Sequence, residues 1–323
     1  MILMSFKKIM KIFYKILSKV VYLLIPFFSK LLILMNLNSR VVNQLNRLRF
    51  NSNHGDNYSV IVSQLLNEYK LTALDVGAQG GFNGDIFPKK YNDFFKPIMV
   101  EPLKNESNIL INENYKVIQK GLWSSNCKRT LHILKDRTGS SSFYMPDENT
   151  FDLYDIKKKN YSLFNVSSTS EVDCTTIKDS LNGLEVKYLD FLKIDTQGSE
   201  LEILKGLGEY VPLAIKLEVQ IIPMYKNVPN WGELINYLYK LNYMTCEWSE
   251  IGKHATRSPA EMDMLLVPNF LTDAGKKLIL SREKEFSSLM IILGQIKLLK
   301  LISKKLNFSS NSIVNNLKDK FFQ

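Results

Sequence analysis

Hydrophobic runs of two kinds alternate through the middle of the chain. Short unbroken apolar runs indicate buried strands, whereas apolar residues at every third or fourth position indicate helices. The pattern predicts helices at 58–68, 104–112, 200–207 and 231–241, and strands at 71–76, 97–102, 115–120, 129–134, 191–194, 212–219, 243–248 and 262–267. This alternation predicts an α/β fold with a Rossmann-like, doubly wound and mostly parallel sheet, with antiparallel character near its carboxyl end.

One long segment does not follow the alternation. Residues 136–170 are polar and aromatic, and Gly139 is followed there by three serines. Segments of this composition run over the surface and often carry function, because a rigid scaffold positions them. We therefore expect a loop excursion at 136–170 that contributes an acceptor pocket.

The charge of the chain is concentrated at its two ends. Residues 1–50 contain nine Lys or Arg and no acidic residue, and residues 274–323 contain ten basic and three acidic residues. The net charge of +10 therefore leaves −6 for residues 51–273. This division predicts a globular domain at 51–273 between a basic flank at 1–50 and a second one at 274–323. The three cysteines lie far apart, which favours a reducing compartment and predicts a cytoplasmic protein.

Both flanks have the pattern of a basic amphipathic helix. In the first flank, lysines recur at helical spacing beside apolar residues, and no apolar run reaches the roughly 18 residues that a spanning helix needs. Residues 286–306 repeat the pattern. Such helices lie on anionic membrane surfaces, although the flanks could instead pack on the domain, pair together or form a dimer contact. Nucleic-acid binding is disfavoured, since the basic segments are apolar and lack interleaved polar readers.

Acidic residues close three of the apolar, strand-like runs. They are Asp75, Glu101 and Asp195, and because parallel strand ends share one edge of a sheet, their carboxylates are expected to line one crevice. Asp75 opens a turn of the form Asp-x-Gly-x-x-x-Gly rather than Gly-x-Gly-x-x-Gly, with Gly77 and Gly81 as its glycines. Glu101 comes about one βα unit later, where a carboxylate accepts hydrogen bonds from a ribose diol. This pattern favours S-adenosylmethionine, which combines a ribose with an ammonium and a sulfonium, over a ligand bound through a pyrophosphate.

Three segments resemble the FkbM family of methyltransferases. They read LDVGA at 74–78, VEP at 100–102 and FLKIDTQGSELEILKG at 191–206, and the last contains the family signature KIDxQGxE almost letter for letter. The family also has similar residues at LEV (217–219) and EMD (261–263). The resemblance covers roughly 71–267 and leaves out both flanks. It departs from the family at Gln79, where methyltransferases often carry Gly or Asn, and at Lys178, where an Asp commonly stands.

The resemblance implies a class I, S-adenosylmethionine-dependent O-methyltransferase. By the family pattern, Gly77 and neighbouring loop amides hold the methionine part of the cofactor, Asp75 lies close by, and Glu101 binds the ribose hydroxyls. The implied cofactor-binding residues are Asp75, Gly77, Ala78, Gln79, Gly81 and Glu101. Relatives methylate hydroxyls of polyketides and sugars, and many bacterial members are associated with cell-surface glycans. A sugar or glycan acceptor, lipid-linked if the flanks contact the membrane, is therefore expected.

Methyl transfer to a sugar hydroxyl requires alignment in a dry site and is helped by a general base. Asp195, at a strand end that faces the crevice, is the first candidate for this base, and Glu218, at the end of the next predicted strand, is the second. Asp195 could equally be a cofactor-side or turn-capping carboxylate. Glu200 is expected to interact with free amides at a helix start. No metal-ligand spacing is present, so no metal site is predicted.

Two other functions compete with methyl transfer. The first is a nicotinamide-dependent oxidoreductase on the same fold, which the glycine pattern disfavours. The second is a non-catalytic, membrane-associated partner protein with a decayed site, which the intact Asp75, Gly77, Glu101 and Asp195 disfavour. Tyr144 and Tyr225 are candidates for stacking on a sugar, and Trp248 is expected to pack in the core.

Overall fold

The computed structural model describes residues 58–82, 86–134, 136–250 and 259–317. The chain divides into two compact units, Met1–Asn51 and Ser52–Gln323. The helix predicted for the amino-terminal flank lies outside the described residues, and everything below concerns the second unit. Within the described ranges, no helix has the length and apolar character needed to cross a bilayer.

Ten strands are formed in the described part of the chain. They are β1 (Leu71–Val76), β2 (Phe95–Val100), β3 (Lys116–Ile118), β4 (Gly121–Leu122), β5 (Cys127–Leu134), β6 (Val166–Thr175), β7 (Phe191–Ile194), β8 (Ala214–Gln220), β9 (Tyr243–Glu250) and β10 (Glu261–Pro268). Seven of them form the main sheet in the order β3-β2-β1-β7-β8-β10-β9. Neighbours from β3 to β8 are parallel, and β10 runs antiparallel to both β8 and β9. The predicted doubly wound, mostly parallel sheet with late antiparallel character is confirmed.

The four helices predicted in the central domain are present in the described ranges, and the structure adds a helix at Ile177–Gly183 and further helices toward the carboxyl end. The helices of these ranges are α1 (Ser59–Leu66), α2 (Lys104–Asn112), α3 (Ile177–Gly183), α4 (Glu200–Lys205), α5 (Trp231–Lys240), α6 (Asp273–Ser281), α7 (Glu283–Ile292), α8 (Ile296–Leu306) and α9 (Asn311–Asn315). Side-chain caps begin three of them. Thr176, Asn230 and Thr272 accept hydrogen bonds from backbone N–H groups in the first turns of α3, α5 and α6, which stabilises a helix start.

The core forms because alternate residues of each strand point to one face of the sheet. On one face, Leu74, Leu192 and Leu217 are fully buried in a continuous apolar cluster with Leu204 of α4 and Leu238 of α5. On the other face, aromatic rings fill the end of the sheet where β1 and β2 begin, and the rings of Phe87 and Phe95 stack at 4.9 Å. This packing leaves the carboxyl ends of β1, β2 and β7 for the site.

A second, three-stranded sheet corrects the sequence interpretation of residues 127–175. Its order is β4-β6-β5, so the strand predicted at 129–134 belongs to this small sheet and not to the main one. Residues 166–170, predicted as the end of the loop excursion, form the first half of β6, which pairs antiparallel with β5. Polar residues dominate the exposed half of β6, so no apolar run signals the strand. Between β5 and β6, the chain makes 3₁₀ turns at Thr138–Ser140, Glu148–Thr150 and Lys158–Phe164.

The carboxyl-terminal flank is built into the compact unit. The single helix predicted at 286–306 is wrong: the chain turns at Gly294, whose φ of +73° favours glycine, and separates α7 from α8. Helix α7 packs on α1. The residues predicted to form an apolar membrane face are buried, including Phe286, Leu289, Met290, Leu293, Ile296, Leu299 and Ile302. The apolar side of this flank is therefore used for packing within the protein.

A buried ion pair connects this flank to the base of the sheet. Arg282, between α6 and α7, lies 2.7 Å from Asp190, which directly precedes β7 and is fully buried. Asp190 also accepts hydrogen bonds from the hydroxyl of Tyr69 at 2.9 Å and the N–H of Thr72 at 2.8 Å. Arg282 lies against Oδ1 and the two hydrogen-bond donors bind Oδ2, so both oxygens of the buried carboxylate have a compensating partner.

Candidate functional site

A cavity of about 290 Å³ opens at the carboxyl ends of β1, β2 and β7, where ligands bind in doubly wound sheets. Its volume is close to the lower end of the roughly 300–1,000 Å³ range of small-molecule sites. Residues from the glycine loop and the β2 end form one side, and residues from the β5–β6 excursion form the other. The lining comprises Val76, Gly77, Gln79, Val100, Glu101, Pro102, Leu103, Gly121, Leu122, Leu131, Thr138, Gly139, Ser141, Ser142, Phe143, Lys193, Asp195, Thr196 and Ile203.

Gly77 lets two strand ends approach each other closely. Its φ is +78°, and a Cβ placed on it would lie 1.9 Å from the backbone oxygen of Asp195. The N–H groups of Gly77 and Ala78 donate to the carbonyl oxygen of Val100 at 3.2 and 3.3 Å, so in this structure both amides are engaged within the protein. Gly77 therefore contributes by its lack of a side chain, while Gly81, with φ +92°, turns the loop away.

Asp75 is buried below the cavity and forms an ion pair that the sequence interpretation missed. Asp75 of β1 and Lys193 of β7 are register partners, and Lys193 donates to the Oδ1 atom of Asp75 at 2.9 Å. Burial raises the pKa of Asp75, and the ammonium opposes this rise. Burial would lower the pKa of Lys193, but the charges of Asp75 and Asp195 raise it overall, which keeps the lysine charged. Lys193 lines the cavity, so it presents this charge to a ligand.

Glu101 is a buried carboxylate that directly follows the carboxyl end of β2. Only 5% of the residue is exposed, and its Oε1 atom accepts a hydrogen bond from the N–H of Leu103 at 2.8 Å. Burial raises the pKa of Glu101 to about 7, and the Leu103 N–H moderates the rise. Its second oxygen has no hydrogen-bond partner among the described residues. A diol with two donors would supply the bonds that this group lacks.

Gln79 joins the glycine loop to the β5–β6 excursion. Its side-chain nitrogen donates to the hydroxyl of Thr138 at 2.6 Å. Gly139 gives it space, because a Cβ there would lie 2.7 Å from the Gln79 side-chain oxygen. The residue that departs from the family pattern thus bridges the two sides of the cavity.

Asp195 and Glu218, the two predicted catalytic residues, are joined through Gln197. Asp195 lines the cavity, whereas Glu218 is not among its lining residues and lies behind Gln197. The side-chain nitrogen of Gln197 donates to Oδ1 of Asp195 at 3.2 Å and to Oε1 of Glu218 at 2.6 Å. Of the two, Asp195 is therefore placed to contact an acceptor.

Glu218 shares a hydrogen bond with Glu261, a residue that the sequence interpretation did not assign to the site. Burial and the charges of Asp195 and Glu261 raise the pKa of Glu218 well above its ordinary value. Burial also raises the pKa of Glu261 to about 7, and Arg137 opposes this rise. Two carboxyl groups so close together resist simultaneous ionisation, so their titrations are coupled. Within the described ranges, no group of His, Cys, Asp and Glu has an arrangement that could hold a metal ion.

Glu200 has the structural role expected of it. Its Oε1 atom accepts hydrogen bonds from the N–H groups of Thr196 at 3.1 Å and Gly198 at 3.2 Å, so it fixes the turn between β7 and α4. The aromatic candidates differ from expectation. Tyr225 is buried and does not offer a stacking face, and Trp248, expected in the core, is 43% exposed and packs edge to face against Trp231.

The fold and the site together define a class I methyltransferase domain: a seven-stranded sheet with one antiparallel strand near its edge, a glycine turn after β1 and a buried acidic residue after β2. A family model described as the methyltransferase FkbM domain matches residues 75–244. The chain therefore belongs to the FkbM methyltransferase family, whose methyl donor is S-adenosylmethionine.

The comparison with solved structures gives a distant likeness. The crystal structure of the small RNA methyltransferase HEN1 shares 11% sequence identity with this chain at a TM-score of 0.28, and the match covers 65% of this chain and 24% of that one. The chain thus spans about a quarter of the length of that protein. No curated protein matches the chain.

Proposed function

We propose that this protein transfers a methyl group from S-adenosylmethionine to a sugar hydroxyl of a cell-surface glycan or of its lipid-linked precursor. The observation that carries the proposal is a single cavity with a ribose-type carboxylate, Glu101, on one side and a solvent-facing carboxylate, Asp195, on the other. The residues fit the donor: Glu101 has an unused acceptor oxygen for a ribose hydroxyl, and Lys193 lines the cavity with a positive charge that suits an anionic group. When bound, S-adenosylmethionine would supply the methyl group from its sulfonium, and the thioether that remains is a good leaving group.

The acceptor side of the cavity has the chemistry of a sugar site. The excursion contributes the hydroxyls of Thr138 and Ser141 together with the ring of Phe143. Hydroxyls that bond a sugar and an aromatic ring that covers its apolar face are a common combination in small-molecule sites. In this proposal Asp195 accepts the proton of the attacking hydroxyl, and the surrounding lining excludes water.

A transfer assay with radiolabelled S-adenosylmethionine and a panel of p-nitrophenyl glycosides tests the proposal. Wild-type protein is expected to label at least one glycoside. Asp195→Asn should reduce labelling by roughly 10²- to 10⁴-fold, the usual contribution of a general base, and should retain donor binding by calorimetry. Glu101→Gln should lose donor binding. Calorimetric binding of NAD without binding of S-adenosylmethionine would instead support an oxidoreductase and refute the proposal.

For the amino-terminal flank we propose contact with an anionic membrane surface at the cytoplasmic side. The nine basic and zero acidic residues of positions 1–50 support it, since each basic side chain near an anionic surface contributes about 1 kcal/mol. Co-sedimentation with phosphatidylglycerol vesicles should be strong for the full chain and weak after deletion of residues 1–50, with phosphatidylcholine vesicles as the control. Unchanged sedimentation after the deletion would refute the membrane role of this segment.

A further inference from the structure

We propose that Gln197 is a positioning residue, whose side-chain amide holds Asp195 and Glu218 side by side and turns Asp195 toward the cavity. The inference rests on the proposed methyl transfer, because it identifies the group that orients the proton acceptor. Gln197 itself is not among the cavity-lining residues. It therefore acts through Asp195 and not by contact with the acceptor.

The hydrogen bonds of Gln197 define the direction of its amide. The side-chain nitrogen donates to Asp195 and Glu218, and the side-chain oxygen accepts from the hydroxyl of Tyr225 at 3.1 Å. A carboxylate only accepts, so two carboxylates on one side fix the NH₂ group there. Tyr225 is 1% exposed, and the single hydrogen of its hydroxyl is shared between Gln197 and the nearer carbonyl oxygen of Ser140 at 2.7 Å. Every polar atom of the amide is used, and the anchor is buried.

The backbone of Gln197 is held in an unfavourable conformation. Its φ is +58°, in the left-handed region that favours glycine, and the cost for another residue is of the order of 1 kcal/mol. The hydroxyl of Ser142 donates to the Gln197 carbonyl oxygen at 2.7 Å and secures this conformation. Because glycine would suit the backbone better, a side chain at this position is retained against the local preference. The hydrogen bonds of the side chain therefore explain why glutamine, and not glycine, occupies this position.

The charge around Gln197 explains why a neutral donor stands there. A cluster of three carboxylates extends from the cavity wall into the protein and consists of Asp195, Glu218 and Glu261. A cation in the place of the Gln197 amide would neutralise part of its charge. The titratable or charged groups that act on these carboxylates are Asp75, Glu200, Asp263, Arg137, Lys193, Tyr154 and Tyr225. The amide orients the carboxylates without removing their negative charge, which a proton acceptor needs.

This arrangement assigns each atom of the transfer step. The Oδ1 atom of Asp195 is occupied by Gln197, while Oδ2 has no hydrogen-bond partner in the described part of the chain. The acceptor oxygen forms a bond to the methyl carbon, the carbon–sulfur bond breaks with its electron pair on sulfur, and the hydroxyl proton passes to Oδ2. A rotation of Asp195 by loss of its Gln197 contact would spoil this alignment.

Two substitutions at Gln197 test the role separately from the fold. Gln197→Gly removes the amide and relieves the left-handed backbone, so the gain in the backbone offsets part of the stability lost with the hydrogen bonds of the amide, and urea denaturation checks that the variant is folded under the assay conditions. Gln197→Glu keeps the size but replaces the donor with an acceptor. Both are expected to lower methyl transfer to the best glycoside of the panel by about 100-fold, the scale of a 1 Å misplacement, with the dissociation constant of S-adenosylmethionine unchanged within about twofold. Gln119→Glu, an exposed change of the same charge, is the matched control.

An acceptor-free measurement keeps this inference distinct from the proposed function. In protein labelled with ¹³C at glutamate carboxyls, the titration of the Glu218–Glu261 pair should move up by about one pH unit in Gln197→Gly, because a donor to the charged form is lost. The Gln119→Glu control should leave it unmoved. An unmoved titration in Gln197→Gly, or an unchanged transfer rate, would refute the positioning role. Absence of transfer in the wild type with a moved titration would refute the acceptor assignment alone.

Discussion

Glu101→Gln should stabilise the protein at alkaline pH while it weakens donor binding. Burial raises the pKa of Glu101 from 4.5 to about 7. Between these values the unfolded chain has lost the proton and the folded chain still binds it, so stability falls as pH rises. One pKa unit corresponds to about 1.4 kcal/mol. The ionisation of Glu101 should therefore lower the free energy of unfolding of the wild-type protein by about 2 to 3 kcal/mol between about pH 5 and pH 8. Glutamine cannot ionise, so the variant should not show this decrease.

Urea denaturation of both proteins at about pH 5 and pH 8 measures the effect. The variant should gain about 2 to 3 kcal/mol over wild type between the two pH values. Glu113→Gln is the control, because it makes the same chemical change at an exposed carboxyl beside the end of α2. A Glu101→Gln protein that gains nothing on going to pH 8 would refute the conclusion that burial of this carboxylate is costly.

The same substitution should weaken S-adenosylmethionine binding, because an amide offers one acceptor oxygen where a carboxylate offers two. Hydrogen bonds to a charged acceptor contribute about 1.5–3 kcal/mol each, so calorimetry should show a loss of at least about tenfold. A gain in stability together with weaker S-adenosylmethionine binding would show that Glu101 serves ligand binding at the expense of stability. An unchanged dissociation constant would remove Glu101 from the donor site.

Two further changes test the frame around the site. Gly77→Ala should lower the unfolding midpoint and abolish donor binding, because its Cβ would lie 1.9 Å from the backbone oxygen of Asp195. The control Gly80→Ala also has a positive φ but open space around the Cβ, so it should cost only about 1 kcal/mol of stability. Equal losses of the two variants in thermal scans would refute the steric argument. Arg282→Ala should cost about 3–5 kcal/mol in urea denaturation, because it leaves Asp190 buried and unpaired. Arg282→Met combined with Asp190→Asn should cost less, and an equal cost would show that the buried charge is not the cause.

Periodicity predicted the main sheet well because its strands are buried on both faces. β1 and β7 were predicted with the bounds that the structure gives, and the ends of the others differ by a few residues. β6 was missed for the opposite reason, since one half of it is exposed and polar and its stability comes from pairing with β5. The break at Gly294 was missed because the apolar spacing continues across it.

Site residues were predicted where a strand end signals them. Asp75, Glu101 and Asp195 each follow a buried run, and all three lie at one edge of the sheet. Lys193 and Glu261 were missed because their importance comes from partners on neighbouring strands: Lys193 is the register partner of Asp75, and Glu261 bonds with Glu218 across an antiparallel pair. Register is set by the folded sheet and leaves no local pattern in either strand.

Gln79 shows how a departure from the family pattern acquires a physical meaning in three dimensions. A glycine there would provide no side chain to reach Thr138, and the glycine loop would end without a contact to the excursion. The glutamine makes that contact, and it fits because the residue beside Thr138 is Gly139, whose missing Cβ leaves space for the amide oxygen. The two positions are therefore matched, although 59 residues separate Gln79 from Thr138. Because Gln79 belongs to the glycine loop and Thr138 to the excursion, this contact couples the placement of the excursion to the conformation of the loop.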